Sequence, residues 1–212
     1  VLSQQPAVEI HTHEFDGTQS YEAMADDDAG LSFFLEVKPA IVFGYSLAGG
    51  AAQQIAIRPP ELDRKLIVVS SPCKRDGFFP EVLEGMAHLN AEAAEMMKPS
   101  PIYQYYANIA PNPDDWSSLV TKVGNMLRND YDWSDSIAKL AMPVMLIIGD
   151  ADSIKLTHIA DFFGLLGGGK RDAGLDGSGI SNSQLAIIPN ATHYNILESS
   201  NLSDIVIRFL DK

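Results

Sequence analysis

One cysteine, Cys73, is all that 212 residues contain, so an internal disulfide framework is excluded and a cysteine cage for a metal has too few ligands. A reducing, cytoplasmic setting is the simplest expectation. Basic residues are scarce: 15 stand against 28 acidic ones, a net charge of -13. The mean surface field of such a chain repels phosphate backbones and anionic head groups, so neither nucleic acid nor a membrane surface is expected as a partner. No apolar run approaches the ~20 residues that span a bilayer, and the first residues lack the basic-then-apolar order of a signal peptide. The glycosylation triplets at Asn190 and Asn201 matter only in a secreted chain and are set aside. Also missing is the Gly-Lys-Ser/Thr ending that would make the glycine-rich stretch Gly164 to Gly179 a phosphate cradle. That stretch follows a helical pattern instead of a strand and reads as a surface loop.

What is present is an ordinary globular composition, 46% hydrophobic and 20% charged, long enough to bury a core. Four short apolar runs, Ala40 to Phe43, Leu66 to Ser70, Val144 to Ile148 and Leu185 to Pro189, lack period-2 alternation and predict strands buried on both faces. Ala7 to His13 is a weaker fifth candidate. Helical patterns cover Tyr21 to Leu35, with Ser20 placed to cap it, Leu47 to Ile57, Leu156 to Leu166 and Asp204 to Leu210. Strand and helix alternate, which predicts the α/β class: a mostly parallel central sheet flanked by helices on both sides.

One connection is too long. A βαβ crossover needs about a dozen or more residues, and residues 71–142 far exceed that, so we divide the chain into core residues 1–70, a helical insertion 71–142 and core residues 143–212. The insertion holds Trp116, Trp133, Tyr103, Tyr105, Tyr106, Met96, Met97 and Met126, with helix-like pieces over Pro80 to Met97 and Asp114 to Leu127. It reads equally as a satellite with its own small core and as a lid that shapes a substrate site.

The stretch "GYSLAGG", Gly44 to Gly50, joins a predicted buried strand to a predicted helix, the setting of a nucleophile elbow. There Ser46 would stand on a sharp turn above the sheet, and the Leu47 N–H at the helix start would face a developing oxyanion. A serine hydroxyl needs a base, and a histidine base needs a carboxylate to orient it. "GDADS" places Asp150 and Asp152 just past the third strong strand, and "PNATHY" places His193 just past the fourth. Other ionisable groups read plainly. His11 and His13 share a strand face with no third metal ligand, His88 and His158 are surface or packing residues, and the acidic run Ala25 to Asp28 is a solvated helix face.

On "GYSLAGG", "GDADS" and "PNATHY" taken together, the chain resembles the α/β-hydrolase superfamily, in the group with a helical cap between the sixth and seventh strands. The resemblance implies Ser46 as nucleophile, His193 as general base then acid, Asp152 as the carboxylate with Asp150 the alternative, and Leu47 as one oxyanion donor. It implies a small acyl substrate and no metal or organic cofactor. The pattern departs from the family in two places. Ala48 stands where a glycine is usual, and "AVEIHTHEFDG" resembles the fourth strand with its loop, leaving the earlier strands and the His-Gly motif that supplies a second oxyanion donor without counterpart. Two functions follow as expectations: a serine hydrolase of small carboxylic esters, lactones or related acyl compounds, or a catalytically impaired, ligand-binding relative.

Overall fold

The computed structural model describes residues 19–34, 40–58 and 63–211. The predicted strand Ala7 to His13 and its two histidines lie outside the described residues. Helix α1 (Tyr21–Phe34) leads into strand β1 (Ala40–Tyr45), helix α2 (Leu47–Ile57) and strand β2 (Asp63–Val69). Helices α3 (Pro80–Ala87), α4 (Ala91–Met97), α5 (Pro101–Ile109), α6 (Trp116–Arg128) and α7 (Ser134–Ile137) come next, and strand β3 (Val144–Ala151), helix α8 (Leu156–Leu165), strand β4 (Gln184–Thr192) and helix α9 (Ser200–Leu210) complete the order.

Among the described residues four strands pair in parallel in the order β1-β2-β3-β4. Parallel strands are buried on both sides, and the side chains of β2 and β3 divide between two cores accordingly. Leu66, Val68, Val144 and Leu146 meet Ala52 and Ala56 of α2 and Phe162 of α8 on one face. On the other, Ile67, Val69, Met145 and Ile147 meet Leu202 and Phe209 of α9. Helices therefore cover both faces, as the unbroken apolar runs require.

Side-chain caps explain the starts of α1, α4 and α5. Ser20 Oγ accepts from the Ala23 N–H at 3.1 Å and caps α1. The acidic run is solvated at Asp26 and Asp27, Asp26 pairing with Arg58 at 2.9 Å, whereas Ala25 is buried. Three expectations change. The piece Pro80 to Met97 is two helices, because Asn90 accepts from the Ala93 N–H at 2.9 Å and restarts the chain as an N-cap. Helix α9 begins at Ser200, four residues before the predicted start, so that Leu202 and Phe209 can be buried on one face seven residues apart. Helix α5, with Ser100 as cap and Pro101 in its first turn, is an element the periodicity did not single out.

The insertion has a small core of its own. Trp116 is buried with Ala94 and Val120, donates its indole N–H to Ala94 O at 2.8 Å, and carries Tyr103 and Tyr106 at ring distances of 5.4 and 5.1 Å. Met126 and Trp133 instead pack with Tyr21 and Ala51 of α1 and α2. The glycine-rich stretch begins in the last turn of α8 and continues as a mostly exposed loop, with Gly167, Gly169, Gly174 and Gly177 at positive φ, and it feeds a strand, not a helix. Among the described residues no helix is long and apolar enough to cross a membrane.

Candidate active site

The turn after β1 is built by close packing. A Cβ on Gly44 would lie 2.4 Å from Ala48 O and 2.6 Å from Ala52 Cβ, and one on Gly49 would lie 2.4 Å from Ser71 Cβ. Only glycine allows the strand, the helix and the 70–72 turn to approach so closely. Ala48 itself is accommodated half-buried in the same turn. Ser46 takes φ 53°, a left-handed conformation that costs a side-chain-bearing residue energy. The Ser46 N–H donates to Val69 O at 3.0 Å, which holds the turn on the sheet. Serine is a favoured N-cap, yet the Ser46 hydroxyl does not cap α2.

That hydroxyl points to His193: Ser46 Oγ lies 2.8 Å from Nε2. On the far side of the ring, Nδ1 lies 2.9 Å from Asp152 Oδ1. An ionised carboxylate only accepts, so Nδ1 carries the proton and donates it to Asp152, while Nε2 accepts from Ser46 Oγ–H. The Leu47 N–H is the first donor of α2, a position with no intrahelical acceptor.

Strand register brings these groups together. Tyr45 pairs with Val69, which sets Ser46 beside Ser70, and Ala151 pairs with Thr192, which sets Asp152 beside His193. The second pairing depends on a bulge. From Gly149 to Ala151, β3 advances two residues while β4 advances four, from Ile188 to Thr192. Asn190 absorbs the excess at φ 57°, a conformation asparagine tolerates better than most residues. Beyond the bulge, Asn195 Oδ1 accepts from the Thr192 N–H at 2.7 Å, and Tyr45 OH donates to His193 O, fixing the histidine loop.

Asp152 is buried and well supplied with donors. Its Oδ1 accepts from His193 and from the Ser153 N–H at 2.7 Å, and its Oδ2 accepts from Ser70 Oγ–H at 2.5 Å. Burial alone pushes the carboxyl pKa up, but the hydrogen bonds from His193 and Ser70 outweigh it, and the net direction is down. Asp152 is thus ionised at neutral pH. Asp150 is exposed near the end of β3, and the imidazole bonds Asp152 instead. The acid loop is also tied to the base of the insertion: Phe79 N–H donates to Ser153 O at 3.2 Å and Lys155 N–H to Gly77 O at 2.9 Å.

Tyr45 and Ser70 were not singled out from sequence. The available signal was position, since both sit at strand ends on the rim that carries Ser46. His88 is exposed at the end of α3, and His158 is a buried packing residue whose Nε2 accepts from the Cys73 N–H at 3.2 Å. Among the described residues no three His, Cys, Asp or Glu side chains stand together as a metal site.

A parallel sheet whose first described strand ends in a left-handed serine turn, with an acid and a histidine at the ends of the last two, is the arrangement of the α/β-hydrolase fold. This chain has that fold. It superposes on an alpha/beta hydrolase enzyme from a Medee basin deep-sea metagenome library with a TM-score of 0.65 at 15% identity, covering 94% of this chain and 74% of that one. With the enol-lactonase of Burkholderia xenovorans the TM-score is 0.61 at 18% identity, covering 92% and 75%. Among curated proteins it is similar to the pimeloyl-(acyl-carrier protein) methyl ester esterase of Yersinia pseudotuberculosis, 39% identical over 93 residues, which is 39% of this chain and 36% of that protein's length. No protein-family model matches the chain.

Proposed function

We propose that this chain is a serine hydrolase that cleaves a small carboxylic ester, lactone or related acyl compound. The observation that carries the reading is the unbroken line from Ser46 Oγ to His193 Nε2 at 2.8 Å and from His193 Nδ1 to Asp152 Oδ1 at 2.9 Å. Names among its relatives support the class: a methyl ester esterase by sequence and, for the fold, an enol-lactonase.

In this reading Ser46 Oγ attacks the acyl carbon and its proton passes to His193 Nε2. Asp152 stays ionised and stabilises the imidazolium. The Leu47 N–H, assisted by the positive end of α2, stabilises the oxyanion of the tetrahedral intermediate. Collapse of that intermediate breaks the bond to the leaving oxygen, which takes the proton from Nε2 and departs as an alcohol. Water then gives a proton to Nε2 and its oxygen to the acyl carbon. The acid leaves, and Ser46 Oγ recovers its proton. Residues 71–142 act as a cap over this rim, and the hydrogen bonds between Gly77, Phe79 and the acid loop support that role.

Incubation with a fluorophosphonate probe, followed by mass spectrometry, tests the assignment. One adduct on Ser46 is expected, with p-nitrophenyl acetate hydrolysis lost in Ser46→Ala. An adduct on another serine, or turnover surviving in Ser46→Ala, defeats the reading.

A further inference from the structure

Asp152 has two oxygens, and they are used differently. Oδ1 serves His193 and the Ser153 N–H. Oδ2 accepts from Ser70 Oγ–H at 2.5 Å, and among the described residues the other donor near it is the Gly149 N–H at 3.5 Å, the outer limit of a hydrogen bond. Without the Ser70 hydroxyl, Oδ1 would keep the Ser153 N–H but Oδ2 would retain only the long Gly149 contact, so the carboxylate plane would be pinned at one oxygen instead of two and freer to turn about its last torsion. Ser70 is itself tightly held. It is 1% exposed, its N–H donates to Ile147 O at 2.9 Å, and it takes φ 50°, the same kind of left-handed conformation as Ser46 one strand away. Strain of this kind persists where surrounding contacts over-determine it. Here the turn out of β2 swings the hydroxyl toward the acid. The next residues join the same turn to the nucleophile helix: Gln53 Nε2 donates to Pro72 O at 3.2 Å and to Gly49 O at 3.2 Å, and Ser71 packs against Gly49.

We infer that Ser70 is a positioning residue, which acts through Asp152 to hold the carboxylate in register with His193. The inference rests on the hydrolase reading above only for its kinetic consequence. The juxtaposition of Ser70 and Asp152 stands apart from it.

Two variants keep the turn while removing the hydroxyl. Ser70→Ala preserves the side-chain stem, and Ser70→Gly accepts the positive φ more readily than serine does. A charge-assisted hydrogen bond of this kind corresponds to about a tenfold loss of kcat on p-nitrophenyl acetate, with KM little changed. On an Asp152→Ala background the same substitution should cost almost nothing, because the carboxylate through which Ser70 acts is gone. A merely structural serine would instead cost the same on both backgrounds. The second measurement needs no turnover: in Ser46→Ala protein, proton NMR follows the Nδ1–H of His193 on Asp152. That resonance should shift and exchange faster with solvent when Ser70 is also removed. An unshifted resonance together with equal losses on both backgrounds overturns the inference. If the protein hydrolyses nothing and takes no label on Ser46, the hydrolase reading falls, and the NMR comparison alone still decides whether Ser70 holds Asp152.

Discussion

At the scale of single residues, the site is a contest between burial and hydrogen bonding at one carboxyl group. Taking Asp152 out of water favours its neutral form. The donors from His193, Ser70 and Ser153 reverse that preference, so the group behind the imidazole remains an anion. Replacing it by asparagine keeps the volume but removes the charge and the acceptor-only character that selects the Nδ1–H tautomer. Asp152→Asn should therefore lower kcat by about 10³- to 10⁴-fold. Asp150→Asn, an exposed substitution two residues away, should leave kcat within about twofold of wild type. Steady-state hydrolysis of p-nitrophenyl acetate by the two variants checks both. Comparable losses would show that the acid is not chosen by the 2.9 Å contact.

At the scale of elements, the elbow is an approach of β1 to α2 that leaves no room for a side chain. Gly44→Ala places a methyl 2.4 Å from a backbone carbonyl of the helix, and neither element can retreat without opening the sheet. We expect a loss of more than about 2 kcal/mol in urea unfolding. Gly85→Ala in α3 is the contrast, because nothing lies within 4 Å of the added methyl. It should stabilise by up to about 1 kcal/mol through helix propensity. The elbow and the β4 bulge show what a pattern can reveal and what it cannot. Gly44 is legible as part of a G-x-S-x-G-like motif between a strand and a helix. The bulge in β4 that sets His193 opposite the acid is not, because two additional residues and one left-handed asparagine have no apolar period to betray them.

For the molecule as a whole, the junction between insertion and sheet contains a titratable group that the proposed chemistry does not use. His158, buried on α8, accepts from the Cys73 N–H through Nε2, and its ring lies over Gly77. Burial, with Lys74 beside it, lowers its pKa below the ordinary 6.5, against the weaker opposing pull of Asp76 and Asp161. Unfolding restores the ordinary value, so between the two values the unfolded chain binds more protons than the folded one. The stabilisation is complete above pH 6.5 and is lost as the pH falls from there through the lowered folded value. Thermal melts should show a midpoint that drops across this range. His158→Gln, which keeps an acceptor for the Cys73 N–H and cannot titrate, should flatten the drop. An equally steep decline in that variant would place the titrating group elsewhere.

The amino-acid sequence by itself determined the class of fold and the four strands seen among the described residues, and it marked out candidate residues at their ends, because burial on both faces leaves unbroken apolar runs and strand ends announce themselves in polar, glycine-containing turns. Tertiary structure decided which carboxylate stands behind the imidazole, that Ser70 and Tyr45 share the rim, and that the long insertion has its own core around Trp116 while Trp133 joins the core of α1 and α2. Those facts depend on register, on a bulge and on contacts between segments far apart in the chain. A local pattern records which way a side chain faces, but not which distant partner it meets.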